Sequence, residues 1–256
     1  MKPHSRRLHL FPLTLAPVAL FLGGFGWLTY ARVQFVRLRA PLISAVKAKD
    51  AARVRKLLDR GADPDARDRM DTGPGGLRGL FRAMLGRNPD AKSNKGQTAL
   101  MLAASNQDAT SVQLLLERGA DVNARGEGNW TALMCAVGRR NTEIVKLLIA
   151  RGAHVNIRSI YGMTPLIIAA DAAGPISIFR LLLEKGADVN VKEEITGQTP
   201  LAWAASDGRN DMVRHLLERG ADVNAREFQG KTVLRLAEDL KHVETVALLK
   251  QHGAKE

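Results

Sequence analysis

The sequence predicts an all-α repeat solenoid: short paired helices stacked along one axis, hairpin fingers between them, and an N-terminal transmembrane helix ahead of the array. Three observations carry that expectation. The phrase Gly-Ala-Asp-Val-Asn-Ala-Arg, or a close variant, begins at Gly61, Gly119, Gly152, Gly186 and Gly220, and a stump Gly253-Ala254 closes the chain. From Gly119 onward the steps are 33, 34, 34 and 33 residues, the self-similarity of a chain that stacks one supersecondary unit. Apolar residues make up 45% of the chain and aromatics only 5%, which suits a core of Leu, Ala and Val between short helices.

The elements follow in order. After Lys2, Arg6 and Arg7, Leu10 to Tyr30 runs 21 residues without a formal charge. A helix of that length covers about 30 Å, the thickness of a bilayer's hydrocarbon core. Trp27 and Tyr30 fall at its distal end, where interfacial aromatics are favoured. Residues 1–31 are therefore expected to form a basic segment and membrane anchor through residues 10–30. The alternative is a signal peptide cleaved after Thr29-Tyr30-Ala31, which would leave a secreted or periplasmic soluble protein. Arg32, Arg37 and Arg39 follow the segment as closely as basic residues precede it, so the positive-inside rule assigns no orientation. Residues 32–40 read as a juxtamembrane linker and 41–256 as the repeat domain.

Within the repeats, Thr98, Thr131, Thr164, Thr199 and Thr232 each precede Ala, Pro or Val and then Leu. Threonine there can cap a helix by accepting a bond from a free amide at its start. A second helix carries the stamp Val-x-x-Leu-Leu, as Val54/Leu57/Leu58, Val112/Leu115/Leu116, Val145/Leu148/Ile149, Phe179/Leu182/Leu183 and Val213/Leu216/Leu217. Those spacings place the apolar side chains on one helix face. The glycine that follows supplies a left-handed C-cap, and Asp-Val-Asn leads out into a tight hairpin.

Two phrases recurring in phase over about residues 41–256 resemble the ankyrin-repeat family, in about six repeats. The resemblance implies antiparallel helix pairs stacked side by side, with β-hairpin fingers projecting at right angles. It also implies protein–protein recognition through the finger tips and the concave inner-helix face. The sequence departs from the family pattern in several places. The histidine usual after Thr-Pro-Leu is replaced by Met101, Met134, Ile167, Ala202 and Arg235, which removes its hydrogen bonds and predicts a less rigid array. Asn129 replaces a hairpin glycine, and Asn tolerates the left-handed region. The fourth repeat carries two extra residues, one near Ala172-Ala173-Gly174-Pro175 and one near Glu193-Glu194-Ile195. The first repeat is a stump from Pro41, and the last turns polar at Lys250 and Gln251, as a terminal repeat should.

Between Gly61 and Thr98 lie 37 residues where the other repeats need 12 or 13. The excess, about 70–95, contains Leu77, Leu80, Phe81, Met84 and Leu85 at helical spacing, with Arg78 and Arg82 off that stripe. Glycines and Asn88-Pro89-Asp90 bound it as a separate short helix. Three readings stay open: the stripe folds back on the first repeats, lies on anionic lipid with its arginines among headgroups, or docks in a partner's groove.

The formal charge of +12 is concentrated at the N-terminal end. Residues 1–40 carry six basic and no acidic side chains, and residues 96–256 are close to balance. Nucleic-acid binding is disfavoured on that distribution. No metal or catalytic spacing occurs among the six histidines. Asp63-Pro64-Asp65-Ala66-Arg67-Asp68 lacks the glycine and distal glutamate of a calcium loop. Cys135 falls at the inner-helix position of Leu102 and Ile168, which makes it a buried structural thiol. An enzyme and a cofactor are not expected. The finger tips instead offer Trp130, Ile160, Tyr161, Met163, Ile195 and Phe228 to an unidentified protein partner, unless some of these merely stack finger on finger. Trp203, at an inner-helix position, is expected to pack.

Overall fold

The computed structural model describes residues 38–68, 96–171 and 174–255. The expected anchor at 10–30, the insertion stripe at Leu77 to Leu85 and the extra residue near 172–173 lie outside the described residues. Among the described residues no helix is long and apolar enough to cross a membrane.

The first helix, α1 (described over residues 38–47), already runs at residue 38, ahead of Pro41. Leu38 shares a face with Leu42 one turn on and packs against the core. α2 (Ala51–Asp59) completes the first pair. Four further pairs follow: α3 (Ala99–Ser105) with α4 (Ala109–Glu117), α5 (Ala132–Gly138) with α6 (Thr142–Ala150), α7 (Pro165–Asp171) with α8 (Ile176–Glu184), and α9 (Pro200–Ser206) with α10 (Asn210–Glu218). α11 (Val233–Asp239) and α12 (Val243–Gln251) close the stack. The seven-residue inner helices α3, α5, α7, α9 and α11 pack in succession, as do the nine-residue outer helices.

Each inner helix starts where its threonine dictates. The hydroxyls of Thr98, Thr131, Thr164, Thr199 and Thr232 accept from the amides of Met101, Met134, Ile167, Ala202 and Arg235 at 3.2–3.3 Å. Those amides belong to the residues that replace the family's histidine. The first four of the side chains are buried between repeats, so apolar packing occupies the place of the polar bonds. Outer helices α2, α4 and α6 are capped by Asp50, Asp108 and Asn141. Each outer helix ends at a glycine of positive φ, from 80° to 88° at Gly61, Gly119, Gly152, Gly186, Gly220 and Gly253, the cap read from the sequence.

The core is one continuous layer between the two helix rows. Leu100, Leu133, Leu166, Leu201 and Leu234, one from each threonine phrase, are buried to within 1%. Each contributes about 1.5–3 kcal/mol of burial. Trp203 packs against this layer as expected.

A polar seam runs beside the core through the Asn of each Gly-Ala-Asp-Val-Asn phrase. Asn123 Nδ2 donates to the Gly152 carbonyl at 3.0 Å while its Oδ1 accepts from the His154 amide at 2.8 Å. Asn156 repeats the pattern with Gly186 and Asp188, Asn190 with Gly220 and Asp222, and Asn224 with Gly253 and Lys255. Every such asparagine therefore clamps the start of the next repeat's turn. In the first repeat the position is Asp65, which accepts from the Asp121 amide at 2.8 Å and has no proton to donate.

The basic residue that ends the first, third and fourth phrases has a similar use. Arg67 Nη1 reaches the Arg125 carbonyl, Arg158 Nη2 that of Lys192, and Lys192 Nζ that of Arg226, at 2.7–2.9 Å. These three side chains each staple one finger to the next.

The fingers correct one expectation. Among the described residues they contain no named strand, only isolated antiparallel bridges at Arg67–Thr98 and Arg226–Thr232. From the second finger onward each is so short that its turn uses up the residues a ladder would need.

Candidate partner-binding groove

Each finger closes on one backbone pair. Gly126 N donates to Trp130 O, Ser159 N to Met163 O, Glu193 N to Gln198 O and Glu227 N to Lys231 O, at 2.8–3.1 Å. The fourth repeat's finger is one residue longer, which accounts for the extra residue near Ile195. The first finger closes in the same way across the insertion: Asp68 N donates to Gln97 O at 2.8 Å. Asp68 and Gln97 thus form a narrow neck at the base of this finger. Asn129 adopts φ 60°, the left-handed geometry expected of it.

Neighbouring tips are also tied by backbone bonds. Ile160 N donates to Gly128 O, Glu194 N to Tyr161 O and Phe228 N to Thr196 O, at 2.7–2.9 Å. The tip glycines make room for this approach. A Cβ on Gly197 would come within 2.5 Å of the Phe228 ring, and one on Gly128 within 3.3 Å of the Trp130 ring.

The expected tip residues divide accordingly. Ile160, Tyr161, Ile195 and Phe228 are exposed at 45%, 50%, 65% and 66%, although Phe228 also lies over Gly197. Trp130 and Met163 are only partly exposed and pack against the core. The structure brings three of the six together. Trp130, Ile160 and Tyr161 rim a shallow cavity of about 280 Å³ at the second and third fingers, with Gln97 of the first finger also in its lining. Met101 and Cys135 line it, and Glu127 is its one charged lining residue. Ile195 and Phe228 lie outside it.

Burial raises the Cys135 thiol above its ordinary value, against smaller lowering effects from Ser105 and Arg139. It therefore stays protonated and serves as lining rather than nucleophile. Among the described residues no group of His, Cys, Asp and Glu is arranged to hold a metal. A second hollow, of about 250 Å³, lies beside Arg226, Lys231 and Arg235. Lys231 and Arg235 are both paired with Asp239, and the Lys231 bond holds that carboxyl below its ordinary value.

Sequence reasoning missed two features. Glu193 is almost fully buried, and its carboxylate accepts from the amides of Ile195, Thr196 and Gln198 and from the Thr196 hydroxyl. Burial pushes its pKa up, but these donors outweigh burial and hold it below the ordinary value. Ser159 and Glu227 organise their own finger turns from the same position, a correspondence visible once the fingers are aligned. Leu240 and Val243 are the other omission: both are exposed at the last helix–helix turn, where other repeats carry Asn106, Arg139 or Asp207. Apolar residues at a normally polar turn were a readable signal.

A family model described as ankyrin repeats (3 copies) matches residues 76–159, 126–193 and 166–256. A single ankyrin-repeat model matches residues 38–69. No curated protein matches the chain.

Proposed function

The chain belongs to the ankyrin-repeat family, and on that premise we propose that it is a membrane-tethered interaction module whose principal partner contact is the groove between the second and third fingers. The coarser part of this statement follows from the family: ankyrin repeats are protein–protein interaction modules and typically non-catalytic scaffolds. The choice of groove rests on one observation. Ile160 and Tyr161 stand half-exposed beside a cavity that Met101 and Cys135 line, so an incoming apolar side chain would find both walls and a floor. Such anchored pockets concentrate binding energy. The partner it suits is a protein segment with an aromatic or aliphatic anchor.

Site-specific photo-crosslinking in a native-like host tests the groove. A photoreactive side chain at Tyr161 is expected to give a discrete protein adduct, while one at Gln113 on the outer face gives none. Equal adducts from both positions, or none from Tyr161, would overturn the assignment. Tyr161→Ala is expected to weaken the partner about tenfold or more, in line with loss of a central aromatic contact, without moving the denaturation midpoint.

The tether rests on Leu10 to Tyr30, 21 uncharged residues. The N-terminal mass of the mature protein tests it. A chain starting at or near Met1 keeps the anchor. A chain starting near Arg32 is a released binding protein, whose partners are then to be sought among soluble proteins outside the cytoplasm.

A further inference from the structure

We propose that the free end of the array, the face of α2 carrying Arg53, Lys56 and Arg60 with Lys49 beside it, is a docking face for an anionic lipid surface. The proposal builds on the anchor reading of residues 10–30.

The register of the repeats identifies this face. In the later repeats the position of Arg53 holds Ser111, Ile144, Ile178, Met212 and Thr245, all buried. The position of Lys56 holds Leu114 and Leu248, also buried, and Leu147, Leu181 and His215, partly buried. Two counterparts of Arg60 reach back toward the preceding repeat: Arg118 pairs with Asp59, and Arg219 donates to the Leu183 carbonyl at 3.0 Å. All three positions therefore look toward a preceding repeat. In the first repeat they carry cations and are exposed.

A polar terminal face is needed for solubility alone, but mixed charge would serve that need. Here cations outnumber the nearby carboxylates, of which Asp59 is neutralised by a cation off this face. Asp50 accepts from the Arg53 amide and Asp59 pairs with Arg118 on the opposite flank of α2. Among the described residues none of Lys49, Arg53, Lys56 and Arg60 has an acidic partner. The far end of the array differs, since Lys231, Arg235 and Lys250 there are all paired.

Chain length brings the face to a bilayer. Seven residues, 31–37, separate Tyr30 from the helical residue 38. Seven residues reach at most about 25 Å, so under the anchor reading α1 and α2 stay within that distance of the headgroups. An anionic leaflet attracts each nearby basic residue by roughly a fivefold gain in partition, within a Debye length of about 8 Å. Three such residues give on the order of 10²-fold.

The test uses the full chain mixed with vesicles of phosphatidylcholine alone or with added phosphatidylserine, and mass spectrometry of lysine acylation. Lys49 and Lys56 are expected to react at least about fivefold more slowly on anionic vesicles and to recover in high salt, while Lys146 in α6 is unchanged. Equal rates on both vesicle types would overturn the proposal. A chain that floats only with anionic vesicles, and loses roughly 10²-fold of that partition in R53Q/K56Q/R60Q, sinks the anchor reading and supports the face. Failure to float with either sinks both. Equal protection of Lys49 and Lys56 by a soluble homopolymeric RNA would replace lipid by nucleic acid. These side chains are exposed, and an unchanged circular dichroism spectrum of the triple variant checks that folding is not the cause.

Discussion

Asp65 occupies the place where later repeats carry Asn123, Asn156, Asn190 and Asn224, and the exchange removes one donor from the seam. Burial raises its carboxyl above the ordinary value, and the charges of Asp63 and Asp121 add to the effect against the lowering bond from the Asp121 amide. A carboxylate with a raised folded pKa lends stability below its unfolded pKa and loses it as pH rises through the folded value. Asp65→Asn is therefore expected to stabilise the first two repeats at neutral pH by about 0.5–1.5 kcal/mol, the net worth of one restored hydrogen bond. Urea midpoints read this, and the gain should shrink as pH falls and Asp65 protonates. Glu193 has the opposite sign. Its folded pKa is depressed, so its contribution is present above the unfolded value and lost as pH falls through the folded one. Glu193→Ala is expected to cost about 1–3 kcal/mol at neutral pH by orphaning buried amides, and progressively less toward acid. The Asp-for-Asn exchange is legible in the string GADPDAR. Its consequence is not, because the carbonyl that the lost donor would address, in the next repeat's turn, is distant in sequence.

At the scale of the element, the fingers behave as a stack of turns rather than as a sheet. Gly197 has φ 78° and lies under the Phe228 ring. Gly197→Ala is expected to destabilise the last two fingers by about 1–3 kcal/mol, from backbone strain and a displaced ring. Amide exchange that quickens at Glu227 and Phe228 more than in α9 would confirm it. The hairpin glycines were readable from turn chemistry. The ring above them was not, since Phe228 looks in sequence like any exposed aromatic. The helices were the most legible elements, because threonine caps, apolar stamps and glycine stops all agree. The first finger adds a second prediction. Asp68 and Gln97 already meet at its neck, so replacing residues 69–95 with a short Asn-Gly turn should leave the denaturation midpoint within about 0.5 kcal/mol. A large loss would mean that the insertion packs on the repeats.

Among the described residues the array is quasi-one-dimensional: each repeat packs mainly on its neighbours, and stability is a sum of repeat and junction terms. The period predicted this architecture, while the groove required coordinates to show which tips converge. Trp130, Ile160 and Tyr161 share the cavity because adjacent fingers are tied at Ile160 N and Gly128 O, whereas Ile195 and Phe228 belong to later junctions. Asn156 sits at the middle junction. Asn156→Ala removes two inter-repeat bonds and is expected to cost about 1–3 kcal/mol. It should also let the two halves of the array open separately by hydrogen exchange, where the parent opens as one unit. The seam has a mechanical meaning as well. Its bonds lie in series along the stack, so a pull on the two ends loads every junction equally and the weakest yields first. On this seam that is the junction at Asp65, with one bond where the others have two, and an array held at its N-terminal end would begin to unzip beside its own attachment.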